Sequence, residues 1–302
     1  MIKKAVFIER APAKVNLFLD ILAKREDGYH DLATVFQAIS LQDHLTFEIK
    51  VECGDSDEID FEIHLDSTSE ELRAIGMNNS VTTAIEAYFT RVPQDQIIAT
   101  IISAHFDIFI DKNIPLQAGL AGGSADAAAT LRVLNKFFEE NFNWSLSRKE
   151  LLEVALEVGS DVPFCLLSTE TPRVYAESRG EVFIETKFPK DFDKFKHVIV
   201  VKPDFGIDTS EAFELLSEKI KKFKKAKLGY FNRFEEVIFP NYPELQQIKQ
   251  DLLDIGYKKV LMSGSGSAIL GFLDDKKYAT AYYETALAKF PAFYKVFSTE
   301  FL

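Results

Sequence analysis

The residues best suited to chemistry begin with a loop, Pro115-Leu-Gln-Ala-Gly-Leu-Ala-Gly-Gly-Ser124, which runs directly into the alanine-rich stretch 125–131. Gly119, Gly122 and Gly123 can take backbone angles closed to other residues and let a ligand approach the main chain. The first amides of the following helix have no partner within it, and with the positive end of the helix dipole they attract an anion. The loop reads as a phosphate cradle. It is not a Walker A loop, because no Gly-Lys-Ser/Thr follows the glycines, and a dinucleotide fingerprint would need Gly-x-Gly-x-x-Gly after a strand. The same residues also suit a plain turn followed by a helix capped by Ser124.

A second set could move a proton. Lys14 and Asn16 lie two apart on an expected strand and so share a face, with Ala13, Val15 and Leu17 on the opposite, core-facing side. Taken alone, Lys14 reads as a lysine facing water. Asp161, just before Val162-Pro163, suits a helix N-cap with proline in the first turn. A carboxylate there could instead accept the proton of a substrate hydroxyl and be kept ionised by a nearby lysine, as phosphoryl transfer to an alcohol requires.

The polar turn 25–32 carries Tyr29, able to stack on a planar base, beside His30, although Tyr-His pairs in surface loops are often inert. Asp204-Phe205-Gly206 imitates the metal-binding triplet of protein kinases, but no His-Arg-Asp loop precedes it and no glycine-rich hairpin opens the chain. Ser263-Gly264-Ser265-Gly266 is out of phase for a hydrolase elbow and suits a turn with backbone donors near a phosphate.

Positioning these residues falls to an α+β chain. Strands are expected at 6–8, 14–22, 45–51 and 59–65, the last after the acidic turn 54–57, then a helix over 80–90 and a strand pair around 97–110. Helices follow at 124–140 and 147–158. In the second half the pattern predicts a strand at 198–201, helices at 210–223 and 242–255, strands at 259–262 and 268–273 around the second glycine turn, a helix at 276–290 and a strand at 292–298. A chain of 302 residues favours two domains, divided here as 1–165 and 166–302. The formal net charge of −12 argues against a nucleic-acid surface, and the basic run 219–227 reads as the solvated face of a helix. Cys53 and Cys165 stand far apart with no clustered histidines, which suggests neither zinc nor a disulfide framework and fits a reducing, cytoplasmic setting. No apolar stretch has the length of a signal peptide or of the roughly 20 residues needed to cross a bilayer, so neither export nor a membrane is expected.

Ala11-Pro12-Ala13-Lys14-Val15-Asn16-Leu17, the loop 115–124 and Met262-Ser263-Gly264-Ser265-Gly266 resemble, in order and distance, the three motifs of the GHMP small-molecule kinases. Gly28-Tyr29-His30-Asp31-Leu32, Val35-Phe36-Gln37 and Gly159-Ser160-Asp161-Val162-Pro163-Phe164 are similar to the branch whose substrate is a cytidine diphosphate-linked methylerythritol. The resemblance covers nearly the whole chain and is weakest over 166–260.

It implies a two-domain GHMP kinase fold, with a ribosomal-protein-like first domain, a ferredoxin-like second domain and an active site in the cleft between them. It also implies ATP-dependent phosphorylation of the substrate's 2-hydroxyl in non-mevalonate isoprenoid synthesis, with Mg2+ and no covalent intermediate. Asp161 takes the place of the general base and Lys14 that of its charged partner. Asn16 stands where the erythritol moiety binds, Tyr29 and His30 where the cytosine is packed and hydrogen-bonded, and Phe213 where an aromatic lies on the base's other face. Pro115, Gln117, Ala118, Gly119, Leu120, Ala121, Gly122, Gly123 and Ser124 match the ATP loop, with Ser124 near the phosphates and magnesium. Asn79 and Lys112 resemble residues near the adenine, and Ser263, Gly264, Ser265 and Gly266 form the supporting turn.

Departures from the family pattern fall in the loop. Gln117, Ala118 and Ala121 stand where many members carry glycine, and Asp126 where some carry asparagine; alanine is easily accommodated there only where the backbone is not left-handed. A monomer or weak homodimer is expected. Another small alcohol such as mevalonate or homoserine, or nucleotide binding without turnover, remain as other readings.

Overall fold

The segment from Ala11 to Asp20 is buried on both faces, and its strand runs through Pro12 without a break. A computed structural model describes residues 1–55, 59–217 and 225–302, and in it β1 spans Ile2–Lys24, where the sequence suggests two short strands. β2 spans His30–Cys53, so the turn expected over 25–32 closes at its start. The acidic turn and the basic run lie partly outside the described residues, as does the end of the helix expected at 210–223.

The chain packs as two compact units. The first comprises Met1–Pro12, Gln42–Ile114 and Gly122–Leu166. In it β3 (Asp60–Ser67) pairs in parallel with β4 (Ile101–Asp111), which pairs antiparallel with the second half of β2. Residues 98–100, expected to be extended, form a 3-10 turn before β4. The helices are α1 (Glu70–Ile75), α2 (Ser80–Phe89), α3 (Gly122–Phe142), α4 (Arg148–Val158) and α5 (Val162–Leu167). α4 starts on a full capping box of Ser147 and Glu150. Phe106 of β4, Phe89 of α2 and Phe138 of α3 pack edge to face, with centroids 5.5 to 5.7 Å apart. Burial of each such ring contributes about 2 kcal/mol.

The second unit comprises Ala13–Leu41, Pro115–Ala121 and Leu167–Leu302. Here the first half of β2 pairs with β5 (Arg173–Ser178), itself in a hairpin with β6 (Val182–Ile184). α6 (Asp191–Lys194) leads to β7 (His197–Lys202), α7 (Thr209–Ser217) and the two-residue β8 (Phe231–Asn232), which pairs in parallel with β1. α8 (Glu235–Asn241), α9 (Pro243–Ile255), β9 (Lys259–Met262), β10 (Ile269–Leu273), α10 (Lys276–Lys289) and β11 (Lys295–Glu300) complete it. The strand order β11-β7-β10-β9, all antiparallel, is the split βαβ arrangement of a ferredoxin-like domain. Val201 and Ile269 on this sheet pack against Leu245, Ile248 and Leu252 of α9. That helix begins on Pro243 and stops at Gly256, whose φ of +121° suits glycine.

Candidate active site

Within the second unit the three sequence motifs meet. On β1 the Lys14 ammonium donates to Asn16 Oδ1 at 2.9 Å, and Asn16 Nδ2 donates to Thr34 Oγ1 at 2.8 Å. Thr34 in turn donates to the Phe18 carbonyl, and Lys14 Nζ lies 5.2 Å from the centre of the Phe36 ring. Alternation along the strand puts Lys14 and Asn16 on one side, as expected, but that side is buried: Lys14 is only 5% exposed and Asn16 2%. The local reading of Lys14 as a lysine facing water is therefore corrected.

The loop is laid against this strand and the second glycine turn. The Lys14 amide donates to the Leu120 carbonyl at 3.0 Å, and Ser263 Oγ donates to the Gly119 carbonyl at 3.0 Å. The amides of Ser267 and Ala268 donate to the carbonyls of Gln117 and Ala118. Gly119 has a φ of +72°, and a Cβ there would stand 2.0 Å from the Ser263 carbonyl oxygen, so no other residue fits. Gly264 approaches from the other side, less tightly: its Cβ would lie 3.2 Å from the Gly119 carbonyl oxygen and 3.6 Å from Asn16 Oδ1. Gly266 closes the turn by donating to the Ser263 carbonyl, and Ser265 Oγ bonds Thr209 Oγ1. Buried Asn232 holds the turn from behind, its Nδ2 donating to the carbonyls of Met262 and Gly264 at 2.7 Å each. Neither Asn232 nor Thr34 was marked by the sequence, because their partners are distant in the chain.

Two substitutions in the loop carry backbone strain. Gln117 and Ala121 have φ of +50° and +55°, in the left-handed region that glycine tolerates best, while Ala118 does not. Their presence shows that the loop keeps the path glycine would allow. The Gln117 side chain lies against Gly206, where an added Cβ would meet its Oε1 at 2.2 Å. The Asp204-Phe205-Gly206 triplet thus supports the loop: the Phe205 carbonyl accepts from Lys202 Nζ and Ser267 Oγ, and its ring stacks on Tyr242.

The first unit holds the remaining candidates. Helix α3 starts at Gly122, two residues earlier than expected, so Ser124 is its third residue and not its cap. The preceding Ala121 has no side-chain acceptor to spend on the first amides, which suits an anion held by main chain. Ser80 Oγ donates to the Gly123 carbonyl at 2.6 Å. Asn79 caps α2, accepting from the amides of Val81 and Thr82 while its Nδ2 donates to the Gly76 carbonyl. Lys112 Nζ lies 2.5 Å from Asp43 Oδ2 and 2.6 Å from Asp126 Oδ2, all three buried. Burial opposes the Lys112 charge, yet the two carboxylates outweigh it and hold its pKa above the ordinary value. Burial raises Asp126, with Lys112 opposing and Asp43 adding to the rise. Asp161 sits at the turn before α5, where its carbonyl accepts from Cys165, as an N-cap residue's does.

At the residues expected to hold a base, again within the second unit, His30 and Phe213 stack on each other with centroids 4.6 Å apart and planes 18° apart. His30 shares a 2.9 Å hydrogen bond with Ser217 Oγ. Burial, aided by the Lys24 charge, lowers the His30 pKa, which favours the neutral imidazole. The Phe213 face toward His30 is therefore occupied, and a base stacked on Phe213 needs another face. Tyr29 is 51% exposed, with the Arg179 guanidinium 4.6 Å from its ring centre. Among the described residues no group of three or more His, Cys, Asp or Glu could hold a metal ion, and no helix is long and apolar enough to cross a membrane.

Residues 79–169 match the GHMP kinases N terminal domain and residues 212–292 the GHMP kinases C terminal domain. A 4-diphosphocytidyl-2-C-methyl-D-erythritol kinase from Thermoanaerobacter pseudethanolicus is 33% identical over 295 residues, covering 91% of this chain and 90% of that protein. One of the same name from Caldanaerobacter subterraneus subsp. tengcongensis is 35% identical over 293 residues, covering 91% of each. The crystal structure of a 4-(cytidine 5'-diphospho)-2C-methyl-D-erythritol kinase superposes with a TM-score of 0.69 at 26% identity, over 98% of this chain and 99% of that one.

Proposed function

The chain belongs to the GHMP kinases, and from that premise we infer that it transfers the γ-phosphoryl group of ATP to the 2-hydroxyl of 4-diphosphocytidyl-2-C-methyl-D-erythritol. The observation that carries the reading is the meeting of the Lys14 strand, the Gly119 loop and the Gly264 turn through main-chain and side-chain hydrogen bonds. The relatives named above supply the substrate.

In the proposed reaction the substrate oxygen attacks the γ-phosphorus in line, its proton passes to the Asp161 carboxylate, and the bond to the β-phosphate oxygen breaks to release ADP. Lys14 stabilises the alkoxide as it develops, and Asn16 fixes the erythritol hydroxyls. The amides at the start of α3 and around Gly119 hold the phosphates, so rate comes chiefly from positioning and electrostatics. Ser124 offers a single hydroxyl, a donor set that fits magnesium arriving on the nucleotide phosphates and not a protein-built cage. When bound, the ion would neutralise phosphate charge. Tyr29, His30 and Phe213 select the cytosine.

We propose the boundary between the two GHMP domains at 165/166, four residues before the N-terminal match ends at 169. We further propose a cytoplasmic monomer or weak homodimer with no nucleic-acid partner, the last supported by the net charge of −12.

The test is a coupled ATP-consumption assay offering the cytidyl substrate beside mevalonate and homoserine. Selective turnover of the first is expected, and preference for either of the others overturns the substrate assignment. Asp161→Asn should fold normally and lose about 100-fold or more in turnover; near-normal turnover removes it as the base.

A further inference from the structure

The phosphate loop is entered and left through one buried ion triad. Asp43 accepts the amides of Asn113 and Ile114 on Oδ1, at 2.6 and 2.8 Å, immediately before Pro115 opens the loop. Its Oδ2 takes the Lys112 ammonium, which also reaches Oδ2 of Asp126, one turn into α3. Between these anchors, a Cβ on Gly122 would stand 3.0 Å from Lys112 Nζ and 3.0 Å from Ile114 Cγ2. The entry strand and the exit helix are thus joined by one ammonium and two carboxylates, with the first residue of α3 seated directly on the ammonium.

Such an arrangement is a poor way to gain stability. Two carboxylates share one ammonium, burial and Asp43 push Asp126 toward its neutral form, and Asp126 Oδ1 has no hydrogen-bond partner among the described residues. Apolar side chains of similar volume would pack there at lower cost, and buried ions are best attested where they set register. The loop between the anchors needs such a device, because Gln117 and Ala121 are held in left-handed backbone that persists only when the surroundings over-determine it.

We propose that Asp43, Lys112 and Asp126 are positioning residues for the phosphate loop, with Lys112 acting through the loop's two ends and not by contact with the nucleotide. The proposal rests on the reading of 115–124 as the ATP loop and changes the role expected for Lys112, whose ammonium is already committed to carboxylates.

The experiment compares wild type with Lys112→Met, Asp126→Ala, the double variant and Asp126→Asn. ATP affinity is read by calorimetry, KM for ATP and for the cytidyl substrate by turnover, and folding by thermal melting. Lys112→Met and Asp126→Ala should each weaken ATP binding and raise its KM by about tenfold, with the cytidyl KM within about twofold. The double variant should be no worse than the weaker single, because both break one device. Asp126→Asn, whose amide oxygen still accepts from Lys112, should stay within about threefold of wild type.

If Lys112→Met weakens ATP while Asp126→Ala does not, Lys112 touches the nucleotide and the proposal fails. It also fails if melting temperatures drop while ATP affinity is kept, since the triad then only stabilises the fold. Should Lys112→Met not fold, Asp126→Ala decides alone, because it keeps the balanced Asp43–Lys112 pair. Wild-type protein that binds no ATP overturns the loop reading itself, a result visible before any variant is made.

Discussion

The loop at 115–124 and the turn at Tyr29–His30, the two regions proposed to bind ATP and the cytosine, are built by opposite means. In the loop the main chain presents itself: Gly119 and Gly264 come within contact of each other's backbone, and the side chains between Ala118 and Gly123 are a leucine, an alanine or nothing. At the Tyr29–His30 turn the rings do the presenting, with His30 on Phe213 and Arg179 on Tyr29. Adding an atom should therefore be most damaging in the first region and removing atoms most damaging in the second. The loop should respond as a switch, because a backbone clash has no side chain to move aside, while the ring cluster should respond in degrees.

The largest effect should come from Gly119→Ala. Its new methyl meets a carbonyl oxygen, and its φ of +72° adds left-handed strain. Together these cost about 3 kcal/mol or more of stability, with ATP binding lost in calorimetry. Gly122→Ala meets only the end of Lys112 and an Ile114 methyl, so its melting temperature should fall less. Equal effects of the two variants would break the account of the loop as backbone-limited.

Next in size is the removal of a ring. Tyr29→Ala should raise the KM for the cytidyl substrate by about tenfold or more, the scale of one base–aromatic stack, and leave the ATP KM unchanged. Because Tyr29 is half exposed, melting should be unaffected. An effect on both KM values would show that the two regions are not separable.

A smaller effect is expected from acid. The folded-state pKa of His30 is lowered, so below the unfolded value of about 6.5 the unfolded chain binds the proton more readily. This contribution to stability is intact above that pH and is lost as pH falls toward the lower folded value. Protonation in the folded state also removes the ring's acceptor nitrogen and charges the face against Phe213, so the cytidyl KM should rise on the same acid limb. His30→Gln should remove that limb from the KM profile, while an unchanged limb would assign it elsewhere.

The two regions also differ in how far their sequence discloses them. Each glycine motif is a short run whose residue types are demanded locally, and the β-branched run Val198–Val201 marks a buried strand by itself. These are the features that sequence alone makes plain; the ferredoxin-like second domain is implied only by the family resemblance. The first half of β2 is different: its residues 33–39 are buried on both faces, which erases the alternation that announces a strand. The β5–β6 hairpin turns through Ser178 and Gly180, with φ of +64° and +107°, but β6 is only three residues long and carries too little pattern to announce a strand. Serine is a good cap and points to a start at Ser124, yet α3 begins after Ala121, whose side chain cannot cap at all. Asn232, Asp43 and Asp126 act on partners far away in the chain, and no local spacing records that.

The smallest effect, and the finest test of the comparison, is Ala121→Gly. Relieving a left-handed alanine should stabilise the fold by about 1 kcal/mol, while the added freedom of glycine in the unfolded chain opposes this by about 0.4 to 1 kcal/mol. Melting should therefore change by no more than about 2 °C. ATP binding should move the other way and weaken a few-fold, because glycine lets the loop leave a path that alanine, once forced into it, helps to hold before the ligand arrives. If the variant instead binds ATP more tightly, the strain at Ala121 opposes the bound shape, and the loop would be one that adjusts to its ligand instead of awaiting it.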